Sequence, residues 1–135
     1  MASSGAQAVG SLVGRQVDLA SATYQSAHQT VAAGGNAAIA TSLPAVAGQF
    51  TYITSLLVQV GLAAAGGSVL LTVTGVVGGT LTVELDWTTT GGTLFQLQPT
   101  QPWRSTAVNT AIFANVPATG ATGPSAMAYL TGFTV

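Results

Sequence analysis

"NTAIFANVPA", residues 109–118, has a counterpart earlier in the chain: "NAAIATSLPA", residues 36–45, carries the same Asn, Ala, Ile, Pro and Ala at the same places. The likeness runs on past both segments. "YITSLLV" (52–58) follows the first copy and "YLTGFTV" (129–135) follows the second. Tyr52 then corresponds to Tyr129, Thr54 to Thr131, Leu56 to Phe133 and Val58 to Val135. These positions are two apart, so a strand directs all four to one face. Ile39 and Ile112 correspond in the first arms, as do Leu43 and Val116, again with shared parity. Each unit reads as a strand, a connection opening on Pro-Ala, and a second strand. The expectation is two similar β-hairpins, 36–58 and 109–135.

Every repeated position has a structural duty. Pro44 and Pro117 end their strands, because proline lacks the N–H a ladder needs. Gly48 and "TGATG" (119–123) supply the bends. Asn36 and Asn109 stand at strand starts, where Asn commonly satisfies local backbone groups. The repeat therefore reads as scaffold, the alternative being a binding site formed by the paired Asn36 and Asn109 or Tyr52 and Tyr129, and function is to be sought first in what is not repeated.

Outward from the repeat the chain stays β. In "TLTVELDW" (80–87), Leu81, Val83, Leu85 and Trp87 alternate with Thr80, Thr82, Glu84 and Asp86. "SVLLTVT" (68–74) predicts a shorter, more fully buried strand. "GVVGG" (75–79) and "TTTGG" (88–92) predict turns, since glycine tolerates positive φ, and "TLFQL" (93–97) predicts another strand. Helical signals are poor; "QVDLASATYQSAHQTVAA" (16–33) is diluted by Thr, Ser and His, and extended structure is favoured there. The whole predicts an all-β, jelly-roll-like β-sandwich of about seven or eight strands. It forms a single domain over residues 16–135. Residues 1–15 have too little apolar surface to offset ordering and predict a flexible, extended N-terminal arm.

Charge is the most unusual property of the composition. The 135 residues hold only Arg15, Asp18, Glu84, Asp86 and Arg104 as charged side chains, with His28 the sole histidine. Soluble domains usually keep roughly a quarter of their residues charged. A neutral, hydroxyl-rich surface points to work inside a larger assembly, where neighbours cover it. Nucleic acid is not an expected partner, because two isolated arginines cannot neutralise a run of phosphates. With no cysteine, disulfides, thiolate metal sites and cysteine nucleophiles are excluded. Residues 56–79 are apolar but cut by six glycines into strand-length pieces without flanking basic residues, so no membrane partner is expected. The N-terminus lacks the basic and apolar regions of a secretory signal.

Catalytic groups are correspondingly scarce. Asp18, His28 and an unspecified hydroxyl are the only possible triad, and no G-x-S-x-G flags a nucleophile. The reading is that the chain is not an enzyme and takes no cofactor. Glu84 and Asp86 share a strand face, but two carboxylates among threonines read as a solvated face rather than a metal site. His28 reads as a surface or interface residue. The loop "QPTQPWRST" (98–106) is the main candidate for partner binding. Pro99 and Pro102 stiffen it, and Trp103 and Arg104 are types enriched at binding hot spots; the alternative for Trp103 is a lid on the sandwich end. Val9, Leu12, Val13 and Arg15 of the arm are the second candidate contact.

Together the Gly/Ala-rich arm, the "N-x-A-I" and "Y-[IL]-T" strands, the Pro-containing loop leading to "VNTAI" and the ending "AYLTGFTV" resemble a known group. They are similar to small jelly-roll virion proteins of tailed bacteriophages, especially capsid decoration (cement) proteins, over about residues 30–135. The resemblance implies a structural virion protein on the outer surface of the capsid. It would form homotrimers that bind the major capsid protein lattice and brace the head against DNA pressure. The alternative within the same fold is a receptor- or carbohydrate-binding jelly roll of a phage fibre or tail, using Trp103, Trp87 and the tyrosines.

Overall fold

Alternation of apolar and polar residues, with no helical period, governs the chain from Thr23 onward. The computed structural model describes residues 21–135, in which nine strands form: β1 Thr23–Val31, β2 Ile39–Leu43, β3 Thr51–Val60, β4 Gly67–Thr74, β5 Leu81–Trp87, β6 Thr93–Leu97, β7 Trp103–Arg104, β8 Ile112–Val116 and β9 Ala126–Thr134. The expected arm at 1–15, with Val9, Leu12, Val13 and Arg15, lies outside the described residues, as does Asp18.

Two antiparallel sheets pack as a sandwich. One runs β1-β9-β3-β6, with β7 also paired to β3, and the other runs β2-β8-β4-β5. That strand order is a jelly roll: eight main strands in two interleaved sets, plus the two-residue β7. Ile39, Leu43, Ile53, Leu56, Leu71, Leu85, Ile112 and Leu130 fill the space between the sheets and are fully buried. In β5 the expected alternation holds, with Leu85 and Trp87 buried while Thr82, Glu84 and Asp86 face solvent. β4 departs from the expected full burial. Its residues alternate too, and Leu70 is exposed on the outer face.

The two repeated units are not hairpins. β2 and β8 lie in the four-stranded sheet, whereas β3 and β9 lie in the five-stranded one. Each unit therefore crosses from sheet to sheet and pairs with the other unit rather than with itself. β2 pairs β8 from Ile39↔Val116 to Leu43↔Ile112, and β3 pairs β9 along most of its length. The reason is burial. Both arms of a unit carry an inward apolar row, and two such rows can bury each other only across the sandwich.

The assumed parity of "YITSLLV" also fails. A register shift between Ile53 and Ser55 forms a β-bulge in β3. Ile53 points inward before it, and Leu56, Val58 and Val60 point inward after it. Tyr52 consequently stands on the outer face while Leu56 is core. Pro44 and Pro117 follow the last residues of β2 and β8, as expected. Asn36 and Asn109 have a sharper duty than side-chain bonding alone. They are the only non-glycine residues with positive φ, at 47° and 58°, among the described residues, in the left-handed region that Asn tolerates best after glycine.

Candidate functional site

β7 turns the predicted binding loop into part of the sheet. Trp103 pairs with Ile53 and Arg104 with Tyr52 of β3. Directly paired residues share a face, so Trp103 follows Ile53 toward the interior and Arg104 follows Tyr52 outward. Trp103 is half-buried and packs against the core, which is the lid arrangement. The adjoining Ser105 is fully buried, its Oγ accepting from Thr51 N at 3.0 Å and donating to Ala107 O at 2.8 Å. Such a committed hydroxyl is structural, not nucleophilic.

The glycine turn after β4 is stitched to the same segment. Val77 N–H donates to Arg104 O and Thr106 N–H to Gly75 O, both at 2.9 Å. Gly75, at φ 89°, leaves no room for a side chain, since an added Cβ would sit 2.3 Å from Ala111 O. Between this turn and the Pro99–Arg104 segment lies an open groove of about 1000 Å³. Val77, Leu81, Pro99, Pro102 and Trp103 give it apolar walls, and Arg104 supplies one cation. The Arg104 guanidinium is held in place by the Phe50 ring, 4.4 Å from its centroid. Trp103 and Arg104 thus point to opposite sides, one serving the core and one the surface.

A second surface went unread in the sequence. On the outer face of the five-stranded sheet, Tyr24, Phe133 and Tyr52 stand in register on β1, β9 and β3. Tyr52 stacks on Phe133 at 4.9 Å and 12°, and Tyr24 tilts against it at 5.9 Å. Phe133 is buried between them, while Tyr24 is 67% exposed. Arg104, paired to Tyr52, closes this row at its β7 end. One step along the strands, Thr131 hydrogen-bonds the hydroxyls of Thr54 and Ser55. Another step on, His28 meets Tyr129 ring to ring at 6.0 Å. Tyr129 and Leu94 are also exposed on this face. The signal was the alternation of "TYQSAHQT" in β1, where Tyr24, Ser26, His28 and Thr30 share one parity. Its meaning depended on which strands lie beside it.

Trp87 is not available as a binding platform. It is buried, its indole N–H donates to Ala65 O at 3.0 Å, and its ring covers Gly67. Glu84 and Asp86 lie exposed on the outer face of β5. Among the described residues, no three His, Asp or Glu converge to hold a metal.

The fold is a small jelly-roll domain with an exposed aromatic face on one sheet and an open apolar groove at one end. No protein-family model matches the chain, and no curated protein matches it.

Proposed function

We propose that this chain is a structural virion protein, a decoration (cement) protein that binds the major capsid protein lattice on the outside of a bacteriophage head as a homotrimer. The observation that carries this reading is the outer face of the five-stranded sheet. It exposes Tyr24, Tyr129 and Leu94 and, among the described residues, has Arg104 as its one formal charge, at the rim. A domain that lives alone in water usually covers such a face with Lys and Glu. Aromatic surface with little conformational entropy to lose is the material of protein contacts. The jelly-roll strand order supports the same reading, though that fold serves many functions.

The test is co-sedimentation of the purified protein with expanded phage heads that lack it. The expected result is saturable binding, reduced at least about tenfold by Tyr24→Ser combined with Tyr129→Ser, the size of loss expected for anchor residues. Absence of binding to such heads overturns the reading. The exposed Tyr24 ring, beside the hydroxyls of Ser26 and Thr131, favours one second reading: a carbohydrate-binding domain of a fibre or tail. Binding of the isolated protein to immobilised neutral glycans, without binding to heads, selects it.

A further inference from the structure

β5 and β6 are edge strands of their sheets and lie over one another on one flank of the sandwich. The charged side chains of the described residues cluster about that flank, on opposite outer faces. Glu84 and Asp86 project from β5 on the four-stranded side. Arg104 projects from β7, on the β6 side of β3, on the five-stranded side. Among the described residues, none of the three is paired with an opposite charge. Leu70 is directly opposite Glu84 in the β4–β5 ladder and is 51% exposed on the same face. One face thus presents an apolar knob beside two carboxylates. The apolar groove of Val77, Leu81, Pro99, Pro102 and Trp103 opens where the β4–β5 turn meets the Pro99–Arg104 segment; Arg104 borders it, with its guanidinium over Phe50.

We propose that these two surfaces are complementary and that copies of this chain associate through them head to tail. Leu70 of one copy enters the groove of the next, and Glu84 and Asp86 meet Arg104 at its edge. A contact between two different patches generates a ring when the rotation between copies closes, and an open filament when it does not. Guanidinium–carboxylate pairing fixes orientation as well as attraction, and a pair at the edge of an open groove is weakened by salt. This inference deepens the homotrimer part of the proposed function and rests on that part alone, because shell binding is read by a separate assay.

The full-length protein is examined by native mass spectrometry and sedimentation at low and high salt. Arg104→Glu alone, or Glu84→Arg with Asp86→Arg, is expected to weaken self-association at least about tenfold, as facing like charges do. Combining all three substitutions reverses both partners and is expected to restore association to near the original level. The β5 substitutions lie on an exposed face and test the contact even if Arg104→Glu disturbs the packing over Phe50. Association indifferent to both sets of substitutions, or a combined variant that stays weak, overturns the head-to-tail contact. A chain that is monomeric at all concentrations also overturns it. Head binding by co-sedimentation distinguishes these failures from failure of the functional reading.

Discussion

Thr54 and Thr131 hold the same place in the two repeats, and their hydroxyl oxygens lie 3.2 Å apart across the β3–β9 pair. The repeat thus meets itself at the centre of the five-stranded sheet. Thr41 and Ala114, also repeat equivalents, pair directly across β2 and β8 in the other sheet. Both contacts lie on one approximate two-fold relation that exchanges the units. Because Thr131 also bonds Ser55, removing its hydroxyl leaves two partners short. Thr131→Val is expected to cost about 1–2 kcal/mol. Ser55→Ala should cost less, since Thr54 and Thr131 keep each other; urea denaturation midpoints measure both.

Gly132 pairs with Ile53 at the edge of the β3 bulge. A Cβ there would sit 1.9 Å from Tyr52 O and 2.6 Å from Leu43 Cδ1. The first of these is backbone and cannot turn aside. Gly132→Ala is expected to destabilise by about 3 kcal/mol or more, in the range of severe overpacking. A thermal melt of the variant beside Gly91→Ala, where open space surrounds the added carbon, measures the contrast.

The two repeated asparagines should respond differently to glycine. Asn109 accepts a hydrogen bond from Gly48 N–H, tying the start of β8 to the β2–β3 connection. Among the described residues, no such side-chain bond joins Asn36 to another residue. Both occupy positive φ, which glycine adopts without strain. Asn36→Gly is expected within about 0.5 kcal/mol of the parent, and Asn109→Gly lower by about 1 kcal/mol. Alanine at either site adds the left-handed penalty of about 1–2 kcal/mol. Equal losses for the two glycine variants would contradict the assigned role of the Gly48 bond.

Gln29 guards an edge. Its side chain accepts from Ala40 N–H at 3.0 Å, in the edge strand β2, and donates to Ala38 O at 3.4 Å, just before that strand. Such edges otherwise recruit other chains. Gln29→Ala is expected to cost about 1 kcal/mol and to raise the aggregation rate on heating, followed by light scattering.

Trp103→Ala should lower stability by about 2 kcal/mol, because half the indole lies against the core. Arg104→Gln should leave the melting temperature within a few degrees, since it removes one surface cation–π contact worth about 0.5–1 kcal/mol. Head binding of the two variants, measured below their melting temperatures, then separates the lid from the contact.

Strand identity was written locally. The period-two rows of β5 and the glycines of the 75–79 turn predict their elements because backbone sterics and alternation act over a few residues. Pro44 and Pro117 mark strand ends for the same reason. The repeat was equally plain in the sequence, but not that its Tyr52, Tyr129 and Phe133 would share one outer face. Its arrangement was not: Pro-Ala connections between two apolar rows are compatible with a hairpin or with a crossing between sheets. Only the burial of both rows against each other selects the crossing. The bulge at Ile53–Ser55 likewise escaped notice, since its cause is the meeting of β3 with β9, far away in the chain. Trp103 and Arg104 were recognisable as unusual residues, but their opposite directions come from pairing with Ile53 and Tyr52. The aromatic row of Tyr24, Phe133 and Tyr52 has no local signature at all. Composition alone determined that this chain has very few charged side chains. Which of its neutral residues share a face was decided by tertiary structure, because sheet neighbours are chosen by burial across the sandwich and not by proximity along the chain.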